Sequence, residues 1–178
     1  LVFYNEHSLQ ALKAGEPKRA ARALANFIPS LAMKKGINAK ARKAAEHALA
    51  NARKRDDADA MACTYRNLAI STGYASGLWR EAVEHFERAE SILADRCSGN
   101  LRDVRYCRMK ASIGRLRLGE LRELAARCDE QLREAVDRGD HLARTALQLY
   151  AKAPLLLAAD DPESARRVLG ASELPSGG

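Results

Sequence analysis

The residues best placed to do chemistry lie in SGLWREAVEHFERAE, residues 76–90. Glu81 and His85 stand four apart, Glu84 adjoins the histidine, and the chain's one tryptophan, Trp79, is close by. On a helix that spacing stacks two side chains one turn apart on one face. The pair reads either as the edge of a metal or acid–base site, or as the flank of a scaffold helix. A zinc site needs at least three protein ligands, and no second His or Cys is placed by sequence to complete one. His7, His47 and His141 are scattered singly and read as surface or flank residues. Cys63, Cys97, Cys107 and Cys128 include no Cys-x-x-Cys pair and read as buried, reduced thiols in a cytoplasmic protein. The acid pairs Asp56-Asp57 and Asp160-Asp161 sit at helix starts, where a carboxylate complements the helix dipole. Phosphate-loop, dinucleotide and nucleophile-elbow motifs are missing, as are the His-Arg-Asp and Asp-Phe-Gly signatures of a kinase core. The expectation is a chain without catalytic residues, cofactor or metal.

The elements that would position such residues are helices. Hydrophobic residues make up 47% of the 178 and aromatics only 5%, so alanine and leucine dominate, alongside Arg, Glu and Lys. That mixture favours helix and leaves strand formers scarce. No apolar run approaches the length of a membrane span, and no membrane partner is expected. Breakers fall at Gly15, Gly36, Asp56-Asp57, Gly77, Gly99, Gly119, Gly139 and Asp160-Asp161, with helical periodicity between them. Asp140 and Asp161 are natural N-caps. Pro29 and Pro154 fall inside helical patterns, where each should kink its helix or split it. In residues 76–90 the wheel lines up Leu78, Ala82, Val83, Phe86 and Ala89 as an apolar stripe. His85 lies on its flank, and Glu81 further toward solvent.

Gly36, Gly77, Gly119 and Asp160 each precede a helix and recur about 41 residues apart. Two helices per 41-residue unit are the signature of an all-α, right-handed α-solenoid of stacked antiparallel hairpins. Residues 1–172 then form one helical-repeat domain and 173–178 a tail. Segment 1–15 reads as a second helix without its partner, so the chain reads as a piece of a longer array.

Asn67-Leu68-Ala69 followed by Gly77, Trp79, Ala82, Phe86 and Ala89 resembles the tetratricopeptide repeat, with one extra residue in the first helix or its turn. The other units keep only traces of the pattern. Residues 86–169 carry Arg96-Cys97-x-Gly99, Leu118-Gly119-Glu120-Leu121, Arg138-Gly139-Asp140 and Ala159-Asp160-Asp161-Pro162-Glu163. This succession is similar to the helical C-terminal region of large bacterial eukaryotic-like serine/threonine kinases that also carry an ATPase-like module. The family often has an aromatic-acid pair where this chain has Leu101-Arg102-Asp103. The resemblance implies a non-catalytic regulatory or docking module in signalling, and it transfers no catalytic residue.

First helices line the concave groove of such an array; here they are residues 17–34, 57–74, 101–118 and 140–158. Their polar members Arg66, Asn67, Arg105, Arg108, Lys110 and Arg144 are the expected partner-binding residues. The expected partner is a protein or peptide, acidic in character, or another domain of the same parent chain. The net charge of +7 is uneven, since residues 1–56 alone carry +8. An alternative reading is therefore a basic module that binds nucleic acid or another polyanion. Sparse tyrosines and the lack of a helix-turn-helix argue against it.

Overall fold

A computed structural model describes residues 17–170 continuously, together with Glu6, Gln10, Lys13 and Gly15. Most of the expected helix over 1–15, together with His7 and the tail from 173, lies outside the described residues. Every element described is helical. They are α1 (Pro17–Ala32), α2 (Ala39–Lys54), α3 (Ala58–Gly73), α4 (Trp79–Arg96), α5 (Leu101–Leu118) and α6 (Leu121–Asp137). Then come α7 (His141–Leu147), a π-helical turn (Gln148–Lys152), α8 (Ala153–Ala158) and α9 (Pro162–Gly170). The chain divides into two compact units, Leu1–Ala111 and Ser112–Gly178, with the boundary inside α5.

Helix ends are set by two devices. Side chains of Asn38, Asp57, Asp140 and Asp161 accept from the backbone N–H three residues on, at 3.0–3.1 Å, which satisfies one of the orphan donors of α2, α3, α7 and α9. Between helices the chain turns through one residue of positive φ. These residues are Gly15, Gly36, Asp56, Gly77, Gly99, Gly119, Gly139 and Asp160, with φ between 52° and 77°. They recur every 20–22 residues. At Gly36 glycine is needed twice over, for φ is +70° and a Cβ there would stand 2.9 Å from Ser76 Oγ.

In the first unit, α1 packs on α2 and on α3, α2 packs on α3, and α3 packs most extensively on α4. Surrounded in this way, α3 buries most of its residues. Small side chains permit the approach. Ala69, Ala82 and Ala89 are fully buried, and a Cβ on Gly73 would lie 3.0 Å from Ala82 Cβ and from the Trp79 ring. Phe86 fills the middle of this core among Ile28, Tyr65, Leu68, Leu93 and Cys107. Leu78 departs from the expected stripe. The helix begins at Trp79, and Leu78, in the N-cap position, is 44% exposed. Polar contacts across the unit join positions 37 to 41 residues apart: Arg22–Asp59, Ile37–Ser76, Arg42–Glu81, Asn26–Asn67, Arg66–Asp103 and Asp56–Arg96.

In the second unit, Leu124, Cys128 and Ala151 form the core, lined by Leu116, Leu132 and Leu155. The two prolines resolve differently. Pro29 is absorbed within the last turn of a continuous α1. Ahead of Pro154 the helix widens into the π-turn, where the Ala153 N–H reaches back to the Gln148 carbonyl. A wide turn makes room for a ring that would otherwise strike the carbonyl four residues back.

Candidate functional site

Glu81 and His85 do lie one turn apart on α4, and both are occupied by packing. The Arg42 guanidinium of α2 holds the Glu81 carboxylate with two bonds of 2.7 and 3.1 Å. His85 Nε2 is 3.4 Å from the same carboxylate, and its ring lies against Tyr65 at 5.9 Å. The Arg42 hydrogen bond holds Glu81 below the usual carboxylate range. Burial pulls the His85 imidazole below its ordinary value, and the Glu81 charge only partly restores it. Among the described residues no three His, Cys, Asp or Glu side chains gather as a metal set. Cys63, Cys107 and Cys128 are buried and Cys97 is half-buried, all as free thiols. Burial raises all four, Cys107 to about 12 and Cys128 to about 11, which leaves them protonated packing groups.

The sign of the histidine effect follows from linkage. An imidazole depressed in the folded state binds its proton more readily once unfolded. Its contribution is therefore present above the unfolded value, about 6.5, and is lost as pH falls through the folded one. The urea midpoint of the protein should fall between pH 7.5 and pH 5.5, and His85→Gln should flatten that slope while changing the midpoint little at pH 7.5. An unchanged slope would show that His85 does not carry it.

A concave feature of the first unit lies elsewhere. A cleft of about 540 Å³ is lined by Asn26, Pro29, Ser30 and Met33 from α1 and its end, Arg66, Asn67 and Ile70 from α3, and Arg102, Asp103 and Tyr106 from α5. On its lining Asn67 Nδ2 donates to Asn26 Oδ1 at 3.1 Å and to Cys63 Sγ at 3.5 Å. Cys63 Sγ also donates to Asn26 Oδ1. Those bonds use Asn26 as acceptor and Asn67 as donor. Among the described residues the Asn26 side-chain Nδ2 and the Asn67 side-chain Oδ1 carry no further bond, and neither is a buried unpaired atom. One wall is apolar, with Pro29, Met33 and Ile70. The Arg66–Asp103 ion pair at 2.7 Å, about four-fifths buried on both sides, also lines the cleft. A donor, an acceptor, an apolar wall and a fixed dipole can hold an extended polypeptide. No nucleophile–base pair lines the cleft.

Of the six residues expected to bind a partner, the cleft brings together Arg66 and Asn67. Arg105, Arg108 and Lys110 share α5 with its third wall but are not among its lining residues. Arg108 Nε is held by Glu90 at 2.7 Å, and both side chains are largely buried. Lys110 Nζ sits 4.7 Å over the Tyr74 ring and 5.4 Å over that of Tyr106. Arg105 is half-buried, and Arg144 belongs to the second unit. The lining residues outside the expected set are Asn26, Pro29, Ser30, Met33, Ile70, Arg102, Asp103 and Tyr106. Asn26 carried a signal, since it lies 41 residues before Asn67, one expected repeat away. Comparison with family models, with curated proteins and with solved structures finds no match.

Proposed function

We propose that the chain is a non-catalytic protein-interaction module whose first unit binds an extended polypeptide in the α1–α3–α5 cleft. The observation that carries this is the Asn26–Asn67 pair, which leaves a donor and an acceptor free beside an apolar wall. A polypeptide backbone offers the complementary carbonyl and N–H in every residue. Arg102, exposed on the cleft lining, favours an acidic segment, through charge-assisted hydrogen bonds.

The module is read as a divergent tetratricopeptide-like array of antiparallel hairpins stacked as an α-solenoid. Positive-φ turns every 20–22 residues and polar contacts between positions 37–41 apart support a repeat of about 41. The packing of α1 on both α2 and α3 supports it too. With the kinase-region resemblance, this favours a regulatory or docking segment of a bacterial, cytoplasmic signalling serine/threonine kinase, with its partner another protein or another domain of the parent chain.

The test is a selection of binding peptides from a random displayed library against the full chain. A Ser30→Trp variant fills the cleft from α1, and circular dichroism checks its fold. Peptides selected on the unmodified chain should lose at least about tenfold in affinity for the filled variant, the scale of one blocked hot spot. Equal binding to both would refute the assignment.

A further inference from the structure

Two turns of the first unit, 33–38 and 74–79, form one rigid corner. The Ile37 N–H donates to Ser76 Oγ at 2.6 Å, and that hydroxyl donates to the Ser71 carbonyl at 3.0 Å. Gly36 fits against Ser76 with no room for a Cβ. The corner exposes Met33 (61%), Tyr74 (48%) and Leu78 (44%), three of the four large hydrophobics exposed among the described residues of this unit. Met33 and Leu78 line one surface depression with Lys34 and Lys35 between them. Lys40 and Lys43 follow, exposed, on the first turns of α2. None of these four lysines makes an ion pair among the described residues. No acidic residue occurs in 33–45 or in 73–80.

We infer that this corner docks on an anionic phospholipid surface. The Met33 and Leu78 side chains enter the boundary between headgroups and acyl chains, and the lysines meet the lipid phosphates and carboxylates. Charge complementarity requires an anionic partner, and the exposed apolar side chains require that partner to have an apolar layer beneath its charge. Nucleic acid fits less well. Its phosphates leave Met33 and Leu78 without a partner, and the cations are lysines, not the arginines that grip phosphates and base edges bidentately. The Tyr74 ring is also no free stacking platform, with Lys110 over it and Trp79 edge-on at 5.1 Å. Sequence inspection for a membrane span does not detect such a site, since its two halves lie about forty residues apart and neither is hydrophobic throughout. The corner shares Met33 with the cleft, while the variants below leave the cleft lining untouched.

Flotation of the full chain with phosphatidylcholine vesicles, with and without about one-third phosphatidylserine, tests it. Binding is expected only to the phosphatidylserine vesicles and should weaken as salt rises. Lys34→Gln with Lys35→Gln should weaken it about thirtyfold, from roughly fivefold for each lysine near the surface. Leu78→Ser should weaken it about tenfold without lowering the thermal midpoint, since serine is the better residue at this N-cap position. Equal binding to both vesicle types, or no binding to either, overturns the inference. So does tighter binding to a duplex or single-stranded oligonucleotide at equal phosphate that Leu78→Ser leaves unchanged, which would assign the corner to nucleic acid.

Discussion

Phe86→Ala should lower the stability of the protein by about 3–5 kcal/mol. Phe86 is 1% exposed and heads the fully buried side chains by volume. It belongs to the core that helices α1 to α5 share, with the Tyr106 ring edge-on at 6.4 Å. Truncation loses the transfer free energy of the ring and leaves a cavity whose walls are helix backbones held close by alanines, so collapse is limited. Set against a typical total of about 5–15 kcal/mol, the loss is a large share. Trp79 is the chain's one tryptophan and packs against Tyr74 in the same unit, so its fluorescence reports this unfolding directly. A loss below about 1 kcal/mol, the scale of surface substitutions, would mean that the core is not built around Phe86.

Leu124→Ala is the corresponding change in the second unit, with an expected loss of about 2–5 kcal/mol. Leu124 is buried against Cys128 and Ala151, and this core has few other large members. Trp79 lies in the other unit, so far-ultraviolet circular dichroism in urea is the suitable readout. Leu142→Ala is the internal control. Leu142 is 60% exposed on α7, and its truncation should cost under about 0.5 kcal/mol. Similar costs for the two leucines would contradict the core described.

Chain turns were the most legible feature of the sequence. Glycine and aspartate tolerate positive φ, and each turn uses one of them, so composition alone marks the turns. Capping by Asp140 and Asp161 was legible for the same local reason. The buried spine Ala69, Ala82, Phe86 and Ala89 followed from helical spacing. Leu78 was misjudged because a wheel does not say where a helix begins, and the turn before α4 leaves that side chain outside. The π-turn was not legible either. The proline announces a disturbance, while whether the helix kinks, breaks or widens depends on what packs around it.

The cleft was legible by element and only partly by residue. Spacing singles out 17–34, 57–74 and 101–118 as first helices, and the cleft is lined by α1, α3 and α5. Within α5, polarity alone does not say which side chains line the cleft, because Arg108 is neutralised by Glu90 eighteen residues away on another helix. Lys110 is held over two rings from different elements. Such partners come from tertiary packing and leave no local pattern. Glu81 and His85 show the reverse. Their spacing suggests chemistry, and Arg42, thirty-nine residues away, converts the pair into a brace between α2 and α4.

The central claim is that a polypeptide lies along the Asn26–Asn67 pair, and side-chain amide resonances read it most directly. Titrating a library-selected peptide into ¹⁵N-labelled protein should shift the Asn26 and Asn67 side-chain amide peaks together with the Ser30, Ile70 and Tyr106 backbone peaks. Peaks from the outer faces of α2 and α4 should stay in place. Saturable binding that leaves both asparagine side chains unmoved, with shifts mapped to α2 or to the second unit instead, would contradict the account.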